Sequence, residues 1–139
     1  MPLRLWDEIR LAWNAYEMMH NGEPFVTYFQ GAPDMWNTKP PLLIWIEALS
    51  FSVLGPSEFS FRLPSVIAAF LTCYFLFRTT SNNMAAPWMG FIAVLLLVTT
   101  DGYLTIHAAR SGNYEALLVL FMTLSVWSIY RWSNSDAPK

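Results

Sequence analysis

A chain of 139 residues, 55% hydrophobic and only 13% charged, is poorer in charge than soluble domains, which carry about 25%. Its apolar content excludes intrinsic disorder, which goes with low hydrophobicity, and a net charge of -2 speaks against a nucleic-acid partner. The single cysteine, Cys73, excludes an intrachain disulfide.

Residues 1–10 show no apolar run of the signal-peptide kind. The spacing then predicts an amphipathic helix over 7–20, with Ile9, Ala12, Trp13, Tyr16 and Met19 on its apolar side. Asp7 is placed to cap it, and Asn21-Gly22 to stop it. Tryptophan and tyrosine on that side suit a helix lying at the bilayer interface. Residues 23–38, punctuated by Gly31, Pro33, Asp34 and Asn37, read as a loop. The run 25–29 within it can make a short strand.

Lys39-Pro40-Pro41 opens a second amphipathic helix over 41–54, because proline is tolerated in a first helical turn. Leu42, Trp45, Ile46, Leu49 and Val53 form its apolar stripe, and Gly55-Pro56 ends it. Residues 57–61 read as a connector. Three apolar runs follow, at 63–77, 84–100 and 116–130. Each is shorter than the roughly 20 residues a bilayer crossing needs. Arg62 and Arg78 flank the first and can snorkel to the headgroups.

The expected fold is therefore all-α: an integral membrane protein with three transmembrane helices and two N-terminal interfacial helices. Residues 1–61 are expected as a loop region on one membrane face, 62–132 as the spans, and 133–139 as a disordered tail. If the first two runs cross in opposite directions, residues before Arg62 share a membrane face with 101–115. The positive-inside rule does not decide the orientation here.

Several charged positions carry possible chemistry. Lys39 precedes proline, which holds its backbone extended, just ahead of a helix N-terminus with unpaired N–H groups and partial positive charge. That is an anion site suited to phosphate; the alternative is a lysine contacting lipid headgroups. Arg110 stands before a turn containing Gly112, followed by Glu115 at the start of the third apolar run. Arg110 can help hold the same phosphate or simply anchor to headgroups. Asp7 and Glu8 offer carboxylates, able to take a proton from a hydroxyl or to ligate a divalent cation such as Mg2+. The alternative is a helix cap followed by a first-turn acid. His107 can carry a proton or hydrogen-bond locally.

Taken in order, Asp7-Glu8-Ile9-Arg10, Asn37-Thr38-Lys39-Pro40-Pro41-Leu42, Phe61-Arg62-Leu63-Pro64-Ser65 and His107-Ala108-Ala109-Arg110-Ser111-Gly112-Asn113-Tyr114-Glu115 resemble a known family. They look like the N-terminal part of the membrane glycosyltransferases related to protein O-mannosyltransferases and to the lipid A aminoarabinose transferase. The resemblance implies the GT-C fold and a sugar donor linked to polyprenyl phosphate. It also implies a lipid, glycan or protein acceptor and an active face outside the bacterial inner membrane.

By the same resemblance, Asp7 is the catalytic residue, acting on the acceptor hydroxyl or organising a metal. Lys39 and Arg110 lie near the carrier phosphate, and Glu115 occupies an acidic position of the active face. Glu8 and Arg62 join them as substrate-binding candidates. Thr38 stands where many relatives carry glutamate, and Asn113 and Glu115 where aspartate is frequent. Relatives have a span before the acidic pair and many after the third run, so the chain is expected to be an inactive piece of a longer enzyme. The competing reading is a non-enzymatic small membrane protein: a lipid-binding or assembly module, or a transporter fragment.

Overall fold

The computed structural model describes residues 7–83, 86–103 and 111–135. Five helices follow one another: α1 (Asp7–Asn21), α2 (Leu42–Leu54), α3 (Glu58–Asn83), α4 (Pro87–Thr99) and α5 (Tyr114–Ser135). A two-stranded hairpin, β1 (Tyr28–Phe29) and β2 (Ala32–Pro33), lies between α1 and α2.

Helix α1 ends where the sequence places its stop. Gly22 takes φ +70° and its N–H donates to the Met18 carbonyl at 3.1 Å, a glycine closure that satisfies a terminal carbonyl. Its inward face differs from the expected one. Leu11, Ala15 and Met18 are buried together with Glu8 and Asn14, whereas Ile9, Trp13 and Tyr16 are exposed. Helix α2 shows the same reversal: Leu43, Ile44, Glu47 and Phe51 point inward, while Leu42, Trp45, Leu49 and Val53 remain outside. Both helices carry apolar residues on two sides, and each core face includes polar side chains that a purely apolar stripe leaves out.

The expected strand at 25–29 is realised only at Tyr28–Phe29. Gln30 and Gly31 form the two-residue turn, both at positive φ, as a type I′ hairpin requires.

The segment read as a connector begins α3. Ser57 Oγ accepts from the Ser60 N–H at 3.2 Å, and Ser60 Oγ accepts from the Ser57 N–H at 3.0 Å. This reciprocal pair works as a capping box, with serine in the place of the usual glutamate. Pro64 lies inside the helix and cannot donate to the Ser60 carbonyl one turn back. Ser50 Oγ donates to that carbonyl instead, at 2.6 Å. The helix therefore continues through proline for 26 residues, roughly 39 Å at 1.5 Å per residue.

Three contacts fix the directions of the later helices. Gly90 lies so close to α3 that a Cβ there would stand 2.7 Å from the Phe77 carbonyl oxygen. Farther along, the Tyr103 hydroxyl donates to the Ala69 carbonyl at 3.0 Å. Helix α4 thus returns antiparallel to α3. The Ser65 hydroxyl donates to the Asn113 carbonyl at 3.5 Å, and the Phe75 and Trp127 rings lie 5.6 Å apart, so α5 runs parallel to α3.

Helices α3 and α5 are long and apolar enough to cross a bilayer. Their outer faces carry large exposed apolar side chains, such as Phe70 at 70% and Val126 at 68% exposure, and the described part of α5 is mostly unburied. Exposed apolar surface of this extent marks a face made for a nonaqueous partner. The middle expected span is shorter than its apolar run. Helix α4 has 13 residues, roughly 20 Å against a hydrocarbon core of about 30 Å. Helix α5 continues to Ser135, through the start of the segment expected as a disordered tail; residues 136–139 lie outside the described ones.

Candidate active site at the polar end of the helices

A chain of side-chain contacts joins α1, the hairpin, the approach to α2 and the first turn of α5. Arg10 on α1 forms a two-pronged ion pair with Asp34. Its Nε donates to Oδ2 at 2.8 Å, and its Nη2 contacts Oδ1. The Asp34 side chain is fully enclosed. It also accepts from Asn14 Nδ2 at 3.0 Å and from the Trp36 N–H at 3.1 Å. With the Arg10 guanidinium as the largest cause, these donors favour the charged carboxylate and lower its pKa to about 2.

Asn14, itself fully buried, also donates to the Tyr28 carbonyl at 2.7 Å and tethers the hairpin. Asn37 Nδ2 donates to Asn14 Oδ1 at 3.5 Å. Asn37 Oδ1 in turn accepts from the Lys39 N–H at 3.4 Å and from the Tyr114 hydroxyl at 3.3 Å. The ring of Tyr114 then supports the Lys39 ammonium, with Nζ 4.8 Å from its centroid. A cation over an aromatic face is held by the ring quadrupole without losing its charge to a carboxylate.

Together these residues line a cleft of about 150 Å³ that includes Arg10, Lys39, Asn113, Tyr114 and Glu115. Lys39 makes no ion pair among the described residues and is exposed at the cleft mouth. Glu115 enters from α5 with Oε2 buried and without a hydrogen-bond partner. Two of the sequence-predicted site residues, Lys39 and Glu115, are thereby brought to one place from positions 76 residues apart in the chain.

Glu8 and Arg62 meet elsewhere. Arg62 Nη2 lies 3.1 Å from Glu8 Oε2, with the Glu8 side chain 2% exposed. Arg62 therefore ties α3 to α1 rather than reaching for headgroups. Neither residue lines the cleft. At the other end of α3, Arg78 donates to the Tyr74 hydroxyl at 3.1 Å. Asp7 opens α1, but its side chain is not described, and Arg110 and His107 lie outside the described residues. Among the described residues no three histidine, cysteine, aspartate or glutamate side chains gather as a metal site.

As site residues, sequence reasoning passed over Arg10, Asn14, Asn37 and Tyr114, which line the cleft, and the buried Glu47. Glu47 had one visible signal: it is the sole charged residue in the otherwise uncharged α2 segment.

The fold is helical, with two helices long and apolar enough to cross a bilayer and a charged cleft lined by residues of α1, the approach to α2 and α5. Comparison with known proteins gives the family. Residues 38–139 match the model of the dolichyl-phosphate-mannose-protein mannosyltransferase family, and the chain belongs to that family. It is 33% identical over 130 residues to an uncharacterized protein of Aquifex aeolicus, covering 91% of this chain and 29% of that one. It is 30% identical over 124 residues to the undecaprenyl phosphate-alpha-4-amino-4-deoxy-L-arabinose arabinosyl transferase of Pseudomonas savastanoi, covering 88% of this chain and 22% of the enzyme. The chain thus spans less than a third of the length of these curated relatives. No solved structure gives a significant match.

Proposed function

We propose that this chain is part of a glycosyltransferase that moves a sugar from a polyprenyl-phosphate carrier to an acceptor hydroxyl, on a lipid, a glycan or a protein. In this reading the cleft faces the extracytoplasmic side of a bacterial inner membrane. Helices α3, α4 and α5 cross the bilayer, while α1 and α2 lie at its surface. The observation that carries the reading is the convergence of Lys39 and Glu115 on one cleft.

The chemistry is displacement at the anomeric carbon. The acceptor oxygen bonds to that carbon as its bond to the carrier phosphate breaks. The hydroxyl proton passes to Asp7, and the electron pair leaves with the phosphate. Negative charge grows on the departing phosphate oxygen, so a cation already fixed there lowers the barrier. Lys39 supplies it, with Arg110 as the second cation. The Tyr114 ring below the ammonium and the Asn37 amide below the Lys39 backbone hold that charge in place before the donor arrives.

The test uses the full-length protein that carries this chain. Lys39→Ala is expected to lower transfer from a polyprenyl-phosphate sugar by about 100-fold or more. Asp7→Asn is expected to cost about 100- to 10,000-fold while leaving donor binding largely intact. Wild-type turnover by either variant rejects the corresponding assignment. Transfer measured after chelation decides whether a divalent cation takes part at Asp7.

A further inference from the structure

The core where α1, α2 and α3 pack holds a carboxyl group that the proposed reaction does not use. Glu47 projects inward from α2 with 0% exposure, and neither of its carboxyl oxygens has a hydrogen-bond partner. The surrounding core is apolar: Leu11, Ile44, Phe51 and Phe61 belong to the cluster where α1, α2 and α3 pack.

The charged and titratable groups facing Glu47 come from each neighbouring element. Glu8 of α1 bears on it electrostatically, and Arg62 of α3 reaches the same spot through its ion pair with Glu8. From α5, Tyr114 lies close enough to feel the Glu47 charge. The guanidinium is held by Glu8, so among the described residues Glu47 has a like-charged neighbour and no cation of its own. Two carboxylates in one enclosed site cannot both ionise cheaply. Burial, followed by the repulsion from Glu8, pushes the Glu47 carboxyl well above the usual value of 4.5.

We propose that Glu47 is a proton-holding positioning residue: a neutral carboxylic acid that keeps a second negative charge away from the Glu8–Arg62 pair and so fixes the acidic start of α1 against α3 beside the cleft. Its effect on transfer rests on the glycosyltransferase reading; its protonation state does not. Loss of the proton at alkaline pH places two negative charges against one guanidinium. The pair that joins α1 to α3 loosens, and α1 carries both Asp7 and the cleft residue Arg10.

Three measurements on the full-length protein in lipid nanodiscs test this. An infrared difference spectrum, wild type minus Glu47→Gln, is expected to show the carbonyl band of a protonated carboxylic acid at neutral pH. Absence of that band overturns the proposal whether or not the protein transfers sugar. Thermal stability supplies the second readout. The folded state holds a proton that the unfolded state releases above about 4.5, so wild-type stability falls as pH rises from there toward the folded value. Glutamine does not titrate, and the Tm advantage of Glu47→Gln over wild type is expected to widen with pH. A difference that stays constant with pH counts against the idea.

The third readout is the pH profile of transfer. Glu47→Gln is expected to keep neutral-pH activity and to move the alkaline limb up by about one pH unit or more. An unmoved limb in an active Glu47→Gln protein removes the positioning role. An altered limb with no carboxylic-acid band removes the proton-holding one.

Discussion

The polar end of the molecule and its helical bundle are held together by different physics. At the polar end, elements meet through fixed charges and amides: Arg10 with Asp34 and the Asn14–Asn37–Tyr114 chain around the cleft, and Glu8 with Arg62 away from it. In the bundle, α3, α4 and α5 meet through close approach of small residues, with Ala68, Ala69 and Ala116 buried at the contact and Gly90 almost touching the α3 backbone. Small residues are what allow helices to approach where lipid removes the hydrophobic drive between them. The lesson is that the end bearing the candidate chemistry adds directional contacts, which preorganise charge, to its apolar core, whereas the helical bundle relies on shape.

The sharpest way to break this contrast is Arg62→Met. It takes the guanidinium from the enclosed Glu8 and is expected to cost about 3 kcal/mol, read as a loss of unfolding free energy in detergent. A neutral outcome would mean that apolar packing, not the ion pair, joins α1 to α3. Next comes the junction between the two regions. A Cβ on Gly112 would fall 2.2 Å from the Phe61 ring, and Phe61 is itself buried in the N-terminal core. Gly112→Ala is expected to destabilise by about 2 kcal/mol and to lower transfer by displacing Glu115, three residues on. A Tm unchanged from wild type would show that the ring can give way.

The smallest expected effect sharpens the electrostatic side. The Asp34 pKa lies below its ordinary value of 3.8, at about 2. The folded state therefore releases a proton that the unfolded state still holds between these values. The resulting stability is fully present above about 4 and is lost as pH falls toward 2. Asp34→Asn is expected to cost about 1–2 kcal/mol at neutral pH, with the deficit shrinking on acidification. Denaturant titrations at both pH values check it, and a deficit that does not shrink would trace the cost to shape rather than charge.

Local pattern was enough to find most helices. The 7–20 periodicity became Asp7–Asn21, and the proline-led helix began at Leu42. The long helix α3 extends past the expected 63–77 run at both ends, because Arg62 and Arg78 do not end it at a membrane surface. Both lie within α3, where Arg62 Nη2 pairs with Glu8 and Arg78 Nη1 donates to the Tyr74 hydroxyl. The apolar stripes of α1 and α2 were assigned to the wrong side for a related reason. Periodicity counts apolar residues and cannot anticipate that Glu8, Asn14 and Glu47 will be buried with partners or protons from other helices.

The sequence alone determined that the chain is helical, apolar and charged mainly outside its three long apolar runs, and its ordered motifs pointed to the family. Those properties depend on neighbours a few residues apart, where spacing, proline and glycine act directly on the backbone. Which helix face turns inward, and that Lys39 meets Tyr114 and shares a cleft with Glu115 while Arg62 meets Glu8, was decided by tertiary packing. A side chain's partner across 50 residues or more is set by how whole helices dock, and no local periodicity carries that information.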